Sequence, residues 1–196
     1  MTNSKSKNDF LPNDYTPSSN EFMKLVEGNN EIRILSKPLI GKMWWVSPEG
    51  EVRGRNEGKE GDRPVRVDYR TKLPKNVPEN CTKEFWILKV WDYNAGAVKV
   101  LELTQQTIIR AINELISSDK WGDPREYDIN IKREGSGIDT KYYVMPSPPV
   151  PTDAVILTVF SENKTDLSTL LSRIDSDTED VQEDSIDSIT DDDLPF

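Results

Sequence analysis

Two strand-turn-strand patterns, separated by one helical pattern, constrain the fold of this chain more than any other feature. The four strands of these hairpins are predicted over residues 84–92, 97–103, 127–134 and 140–145. The first turn ends in Gly96, which can adopt the positive φ that tight hairpin turns require. The second turn is formed by Gly135-Ser136-Gly137. Hairpins of this kind predict an antiparallel sheet.

The segment between the two hairpins predicts an amphipathic helix. Its apolar side chains recur at helical spacing and share one face: Ile108, Ile109, Ile112, Leu115 and Ile116. Thr104 is a suitable N-cap, and the helix is expected to continue to about Ser118. The sequence Trp121-Gly122-Asp123-Pro124 then ends it.

Shorter strand patterns precede the first hairpin. They cover residues 31–37, 42–46 and 51–55. Residues 56–82 combine glycine, proline and charge with little periodicity, which predicts a long loop, and loops of that length are usually functional or disordered. After the second hairpin, several prolines interrupt regular structure, and residues 166–174 predict a short helix.

One helix after the third strand and before the fourth is the element order of the five-stranded oligonucleotide/oligosaccharide-binding barrel, the OB fold. We therefore predict a mainly β protein with this barrel, while an SH3-like barrel or an open α+β sheet fits the pattern less well. The predicted divisions are a disordered N-terminal arm (1–20), the OB-fold domain (21–160), a short helix or linker (161–174) and a disordered acidic tail (175–196).

The negative charge of the chain is confined to its last residues. The whole chain has 25 Lys and Arg against 35 Asp and Glu, a net charge of −10. Ten acidic residues and no basic residue follow Arg173, so the preceding part holds equal numbers of both. A neutral body can carry a basic face, and the acidic total therefore does not argue against a nucleic-acid ligand.

Residue types used for catalysis and metal binding are scarce. The chain has no histidine and a single cysteine, Cys81, which removes the commonest general base, the commonest metal ligand and any intrachain disulfide. The sequence has no phosphate-cradling glycine loop. We therefore expect a protein that is not an enzyme and needs no metal or cofactor. No apolar run has the length of a membrane span, and no signal-peptide pattern is found, so we expect a cytoplasmic protein.

Aromatic and basic residues are interleaved on several predicted strands, which is the composition that sequence-tolerant binding of single-stranded nucleic acid requires. Bases stack on aromatic rings, and cations follow the phosphates. On the strongest strand, Trp86, Leu88 and Val90 form a core face, whereas Lys89 and Trp91 point outward. The candidate residues for contacts with single-stranded DNA are Lys42, Trp44, Trp45, Arg53, Arg55, Arg66, Arg70, Lys89, Trp91, Tyr93, Lys132, Arg133, Lys141 and Tyr143.

Two interpretations stay open for the basic cluster between Arg53 and Lys72. Acidic residues interrupt it, so it is either a solvated mixed-charge loop or a flexible basic flap over a DNA groove. Each candidate aromatic ring likewise has two possible places, in the core or in the groove.

The last six residues are Asp191-Asp192-Asp193-Leu194-Pro195-Phe196. They resemble the end of bacterial single-stranded DNA-binding proteins, Asp-Asp-Asp-Ile-Pro-Phe, with Leu194 in place of isoleucine. In that family the proline and phenylalanine enter an apolar pocket of a partner enzyme, a basic residue receives the terminal carboxylate and the aspartates meet a basic rim. The resemblance implies that these six residues dock replication or repair proteins. An acidic tail that serves solubility alone is the alternative.

The body of the chain resembles phage single-stranded DNA-binding proteins. The segments that carry the resemblance are 30–36, 38–41, 120–124, 127–129 and 133–142. The resemblance implies an OB fold, no enzymatic activity and the coating of exposed strands in phage DNA replication, recombination and repair. Two other functions stay open: a strand-annealing protein for recombination, and an interaction adaptor whose only ligand is protein.

Overall fold

The computed structural model describes residues 21–55 and 57–171, which form eight strands and two α-helices. The strands are β1 (Phe22–Met23), β2 (Gly28–Ile34), β3 (Leu39–Val46), β4 (Arg63–Asp68), β5 (Lys83–Asp92), β6 (Ala97–Leu103), β7 (Asp128–Glu134) and β8 (Lys141–Pro146). The helices are α1 (Gln106–Ile116) and α2 (Ala154–Glu162), with short 3₁₀ helices at Glu79–Cys81, Gly137–Asp139 and Leu167–Leu170. The predicted arm, 1–20, and the predicted tail, 175–196, lie outside the described residues.

β5 is the centre of the sheet, because three strands pair with it. Its C-terminal half pairs antiparallel with β2, where Asp92 lies opposite Ile32. Its N-terminal half pairs antiparallel with β3, where Trp86 lies opposite Ile40, and β6 runs along its other edge. β7 and β8 extend the sheet beyond β2, β4 extends it beyond β3, and β1 adds a short parallel pair to β6.

The prediction of a mainly β fold is confirmed by this sheet. Among the described residues, the hydrogen-bonded path β1-β6-β5-β2-β7-β8 ends at β1 and β8. The sheet is therefore open, and a closed five-stranded barrel is not seen in its strand pairing. α1 packs against both β6 and β8, two strands that do not pair with each other.

The inner face of the sheet carries the main core. Trp86, Leu88 and Val90 of β5 are buried there, as the alternation of that strand predicts. Three isoleucines of α1 cover them from the helix side, and they belong to the apolar face predicted from helical spacing. Each fully buried side chain of this size contributes about 1.5–3 kcal/mol. This cluster is therefore the main source of hydrophobic stabilisation.

The region before β5 differs from its prediction. β4 lies within residues 56–82, which the sequence predicts to be a loop. Its alternate residues Val65 and Val67 are buried in a small second core beside β3. Residues 51–55 form a single bridge at Val52 instead of a strand. Antiparallel pairing with β3 decided the outcome for β4.

The chain after β8 also differs from its prediction. The sequence does not predict α2, because its apolar and β-branched residues are spread around the whole helix and show no amphipathic face. The short helix predicted over 166–174 is a 3₁₀ helix, Leu167–Leu170. Residues 154–171, which contain both helices, are called the strap below.

Candidate nucleic-acid interface

The outer face of the sheet, opposite the main core, carries most of the predicted nucleic-acid contacts. Residues two apart on a strand share a face, and so do residues directly opposite each other on paired strands. Lys89 and Trp91 therefore share the outer face with Arg33, which lies opposite Trp91. Lys132 lies opposite Tyr143, and the register between β2 and β7 brings this pair onto the same face.

The accessible part of the outer face is the β7–β8 hairpin. Tyr143 is 46% exposed, and Lys141, two residues before it on the same face, is exposed as well. Nζ of Lys132 lies 2.6 Å from Oε1 of Glu134, and this hydrogen bond raises the pKa of Lys132 above its ordinary value. Lys132 is therefore a cation at neutral pH. The structure brings an accessible ring and two lysines onto one surface.

The strap covers the central part of the outer face. Leu167, Leu170 and Leu171 pack against a cluster that includes Phe85 and Ile87, which are both completely buried. The alternation of β5 predicts that this face reaches solvent. That prediction is corrected here, because a later segment of the chain folds back over it.

Lys89 lies beneath the C-terminal end of α2. Its Nζ is 3.1 Å from the backbone oxygen of Asn163 and 5.7 Å from the centroid of the Phe160 ring. Trp91, two residues further along β5, is half-buried. In contrast to the prediction, Lys89 is therefore not freely accessible in this structure, since the strap supplies its neighbours.

Arg33 is a polar residue of the outer face that is not among the predicted DNA contacts. It is 1% exposed, and its Nε lies 2.6 Å from Oδ1 of Asp128. Its Nη1 donates to the backbone oxygen of Val150 at 3.1 Å and to Oγ1 of Thr152 at 2.9 Å. A buried cation is tolerated with such partners. The sequence feature that could have identified Arg33 is its position between Ile32 and Ile34 on a predicted strand.

Tyr93 extends this polar cluster from the turn after β5. Its hydroxyl donates to Oδ1 of Asp128 at 2.9 Å. Burial, and next this hydrogen bond, raise the pKa of Tyr93 to about 12. The hydroxyl is therefore protonated at neutral pH. The side chain predicted to contact DNA is a hydrogen-bond donor to the carboxylate that pairs with Arg33.

The two adjacent tryptophans of β3 point to opposite faces, as strand geometry requires. Trp44 is 3% exposed and belongs to the small core with Val65 and Val67. Its prediction as a stacking residue is corrected, because pairing of β3 with β4 buries it. Trp45 lies on the outer face, half-buried beside the strap cluster, with Gly58 against its ring.

The predicted basic loop does not form one cationic surface. Arg53 is paired with Glu51 at 3.2 Å and with Asp62 at 3.4 Å. Arg66 is paired with Glu102 of β6 at 3.0 Å. Neighbouring carboxylates thus offset much of the positive charge, which favours the mixed-charge interpretation of this loop.

A second accessible polar group lies on the other side of β3. Lys42, Arg55 and Tyr69 line a cavity of about 440 Å³ together with Glu79. Nζ of Lys42 lies 3.3 Å from Oε1 of Glu79, and the guanidinium carbon of Arg70 lies 4.9 Å from the centroid of the Tyr69 ring. A carboxylate thus pairs with a lysine in this cavity, as Glu134 pairs with Lys132 on the β7–β8 hairpin, so both surfaces carry mixed charge.

Arg133 differs from its neighbour Lys132, because adjacent strand residues point to opposite faces. Its Nη1 donates to the backbone oxygen of Leu25 at 2.8 Å. Its guanidinium ties the segment after β1 to β7, and a contact of Arg133 with DNA stays a prediction.

Three further predictions concern metal binding, membrane spans and the docking residues. Within residues 21–55 and 57–171, no group of three or more cysteine, aspartate and glutamate side chains is placed to hold a metal ion. No helix of the described part is long and apolar enough to cross a membrane. The six predicted docking residues, 191–196, lie outside that part.

A mainly β protein with an aromatic and basic sheet face is the class that this geometry defines. The chain is similar to a protein of Escherichia phage T5 that is described as a probable ssDNA-binding protein. The two are 29% identical over 140 residues, which cover 63% of this chain and 54% of the phage T5 protein. The chain therefore spans about half the length of this relative. No family model and no solved structure matches the chain.

Proposed function

We propose that this chain is a sequence-nonspecific single-stranded DNA-binding protein and that the outer face of its sheet is the binding surface. The observation that carries the proposal is the exposed ring of Tyr143 beside Lys132 and Lys141. The ring offers a face on which a base can stack, the ammonium group of Lys141 offers charge to the phosphates, and Lys132 can exchange its pair with Glu134 for a phosphate. The similarity to the phage T5 protein supports the same ligand.

The strand order supports this proposal. If β2 and β3 are counted as one interrupted strand and β1 and β4 are left out of the count, α1 lies between the third strand, β6, and the fourth, β7. This is the order of the OB fold, in which the face of the second and third strands binds oligonucleotides. Those strands correspond to β5 and β6, whose outer face contains Lys89 and Trp91.

On this proposal, the protein acts without catalysis. It coats exposed single strands during DNA replication, recombination and repair, and the acidic segment 175–196 carries a docking peptide at its end, Asp191–Phe196. A docking peptide of this composition would use its aspartates on a basic rim of the partner and its phenylalanine in an apolar pocket. Strand annealing would use the same outer face.

Titration of the intrinsic tryptophan fluorescence with poly-dT tests the proposal. Quenching is expected, because Trp45 and Trp91 lie on the outer face. The logarithm of affinity should fall linearly with the logarithm of salt concentration, by about 0.7 for each phosphate contact. A duplex of equal length is the control. The proposal is wrong if poly-dT causes neither saturable quenching nor a change in anisotropy of a labelled strand at low salt.

A further inference from the structure

The contacts of Lys89 with the strap have the chemistry of contacts with a nucleotide. Its Nζ faces the backbone oxygen of Asn163 at 3.1 Å and the ring of Phe160 at 5.7 Å. A phosphate and a base offer a lysine the same two kinds of group, an oxygen acceptor and an aromatic face, although the phosphate oxygen carries a full charge and the carbonyl only a partial one. The strap thus supplies from within the chain what a nucleotide would supply from outside.

The side chains around Lys89 on the covered face are also of the kind that binds single strands. Trp91 lies two residues away on the same face, and Arg33 lies opposite Trp91. Arg33, like Lys89, donates to a backbone oxygen of the chain after β8, that of Val150. Through β2 and β7, this covered row is continuous with the exposed hairpin surface.

α2, the first part of the strap, has few of the contacts that hold a core element in place. Ile156 is the buried residue of α2, whereas Val155, Leu157 and Val159 are exposed. The leucines of the following 3₁₀ helix are half-buried. Segments with few buried apolar contacts open at a lower free energy than the core does. α2, whose end holds both contacts with Lys89, can therefore separate from the sheet while the inner core stays intact.

We propose that single-stranded DNA displaces the strap and places one nucleotide in the subsite that the strap occupies, with its phosphate at Lys89 and its base on Trp91. This proposal rests on the proposed function, because it takes single-stranded DNA as the ligand. Because only molecules with an open strap can bind at this subsite, the apparent affinity equals the intrinsic affinity multiplied by the fraction of open molecules. Displacement joins the subsite to the exposed surface at Tyr143, which gives one continuous strip.

The first test compares the affinity of full-length variants for a labelled oligo-dT. Phe160→Ala removes the ring that covers Lys89, and Leu157→Ala is the matched control, since it removes an exposed apolar side chain from the same helix. Phe160→Ala should tighten binding by about threefold to thirtyfold, because it weakens the closed state. Leu157→Ala should change it by less than about twofold. Adding Lys89→Ala to Phe160→Ala should remove the gain.

The second test uses the unmodified chain, so it does not depend on how a variant folds. Hydrogen exchange is followed with and without saturating oligo-dT. Amides of the strap, including those of Leu157 and Asn163, which donate within α2 and at its end, should exchange faster when DNA is bound. Amides of β5 should keep their protection.

Tighter binding by Phe160→Ala and faster exchange in the strap support the proposal. If Phe160→Ala binds no tighter than the unmodified chain, or if saturating DNA leaves strap exchange unchanged or slower, the proposal is overturned and the proposed function stands. If neither the unmodified chain nor Phe160→Ala binds oligo-dT at low salt, both are overturned.

Discussion

Nε of Arg33 lies 2.6 Å from Oδ1 of Asp128, and the arginine side chain of this pair is buried beneath the chain that follows β8. The same carboxylate oxygen accepts a hydrogen bond from the hydroxyl of Tyr93. One carboxylate therefore joins β2, β7 and the turn after β5. The cluster fixes the point at which the chain after β8 crosses the outer face, because Arg33 also binds Val150 and Thr152.

Asp128→Asn should lower the free energy of unfolding by about 3 kcal/mol, because Arg33 then stays buried without its carboxylate. Asp123→Asn is the matched control: it removes a pair with Arg125 that is far more exposed, and it should cost less than about 1 kcal/mol. Urea denaturation of both variants measures the difference. Equal costs would mean that Arg33 is solvated and that its pairing adds little.

Tyr143→Ala should weaken binding of single-stranded DNA by about 1–3 kcal/mol, which is roughly fivefold to 150-fold, because a stacking platform is lost. Tyr69→Ala is the control, since Tyr69 is 48% exposed but lines the cavity on the other side of β3. Fluorescence anisotropy of a labelled oligo-dT gives both affinities, and thermal denaturation checks that both variants fold. A larger loss with Tyr69→Ala would move the binding surface to that cavity.

Tyr93→Phe should change the alkaline behaviour of the protein. The pKa of Tyr93 is raised to about 12 in the folded protein, whereas tyrosine in an unfolded chain titrates near about 10. Between these values only the folded protein keeps the hydroxyl proton. The contribution of Tyr93 to stability is therefore complete below about pH 10 and is lost as the pH rises towards about 12.

Absorbance titration of tyrosinate measures this step. Tyr93→Phe should remove the tyrosine that titrates near pH 12, and Asp128→Asn should move that step to lower pH, because the carboxylate raises the pKa of Tyr93. Solvent screening keeps the accompanying change in stability small, since the side chain is partly exposed. A titration curve that is the same with and without Tyr93 in this range would contradict the assignment.

The hairpins and α1 follow from local sequence with small errors at their ends. The strand predicted over 84–92 is Lys83–Asp92, and the one predicted over 97–103 is Ala97–Leu103. The helix begins at Gln106, with Gln105 at the N-cap position instead of Thr104. Alternation, helical spacing and turn residues act between near neighbours, so these elements are readable from the chain.

The candidate site was only partly predictable, because accessibility depends on distant segments. Strand alternation separates Trp44 from Trp45, but only pairing with β4 decides that Trp44 is the buried one. Tyr143 and Lys132 are grouped by sequence and stay accessible on the β7–β8 hairpin. Arg33 was missed, because its partners Asp128 and Thr152 come from late in the chain.

Local sequence was sufficient for the strands of the two hairpins, the amphipathic helix and the separation of acidic tail from neutral body, since these depend on residue type and on spacing between neighbours. The long-range fold decided that the outer face of β5 is covered as well as the inner face. Asn163 reaches Lys89 from 74 positions further along the chain, and the strap leucines cover Phe85 and Ile87. A strand pattern shows that two faces differ, but burial is set by whatever packs against each face.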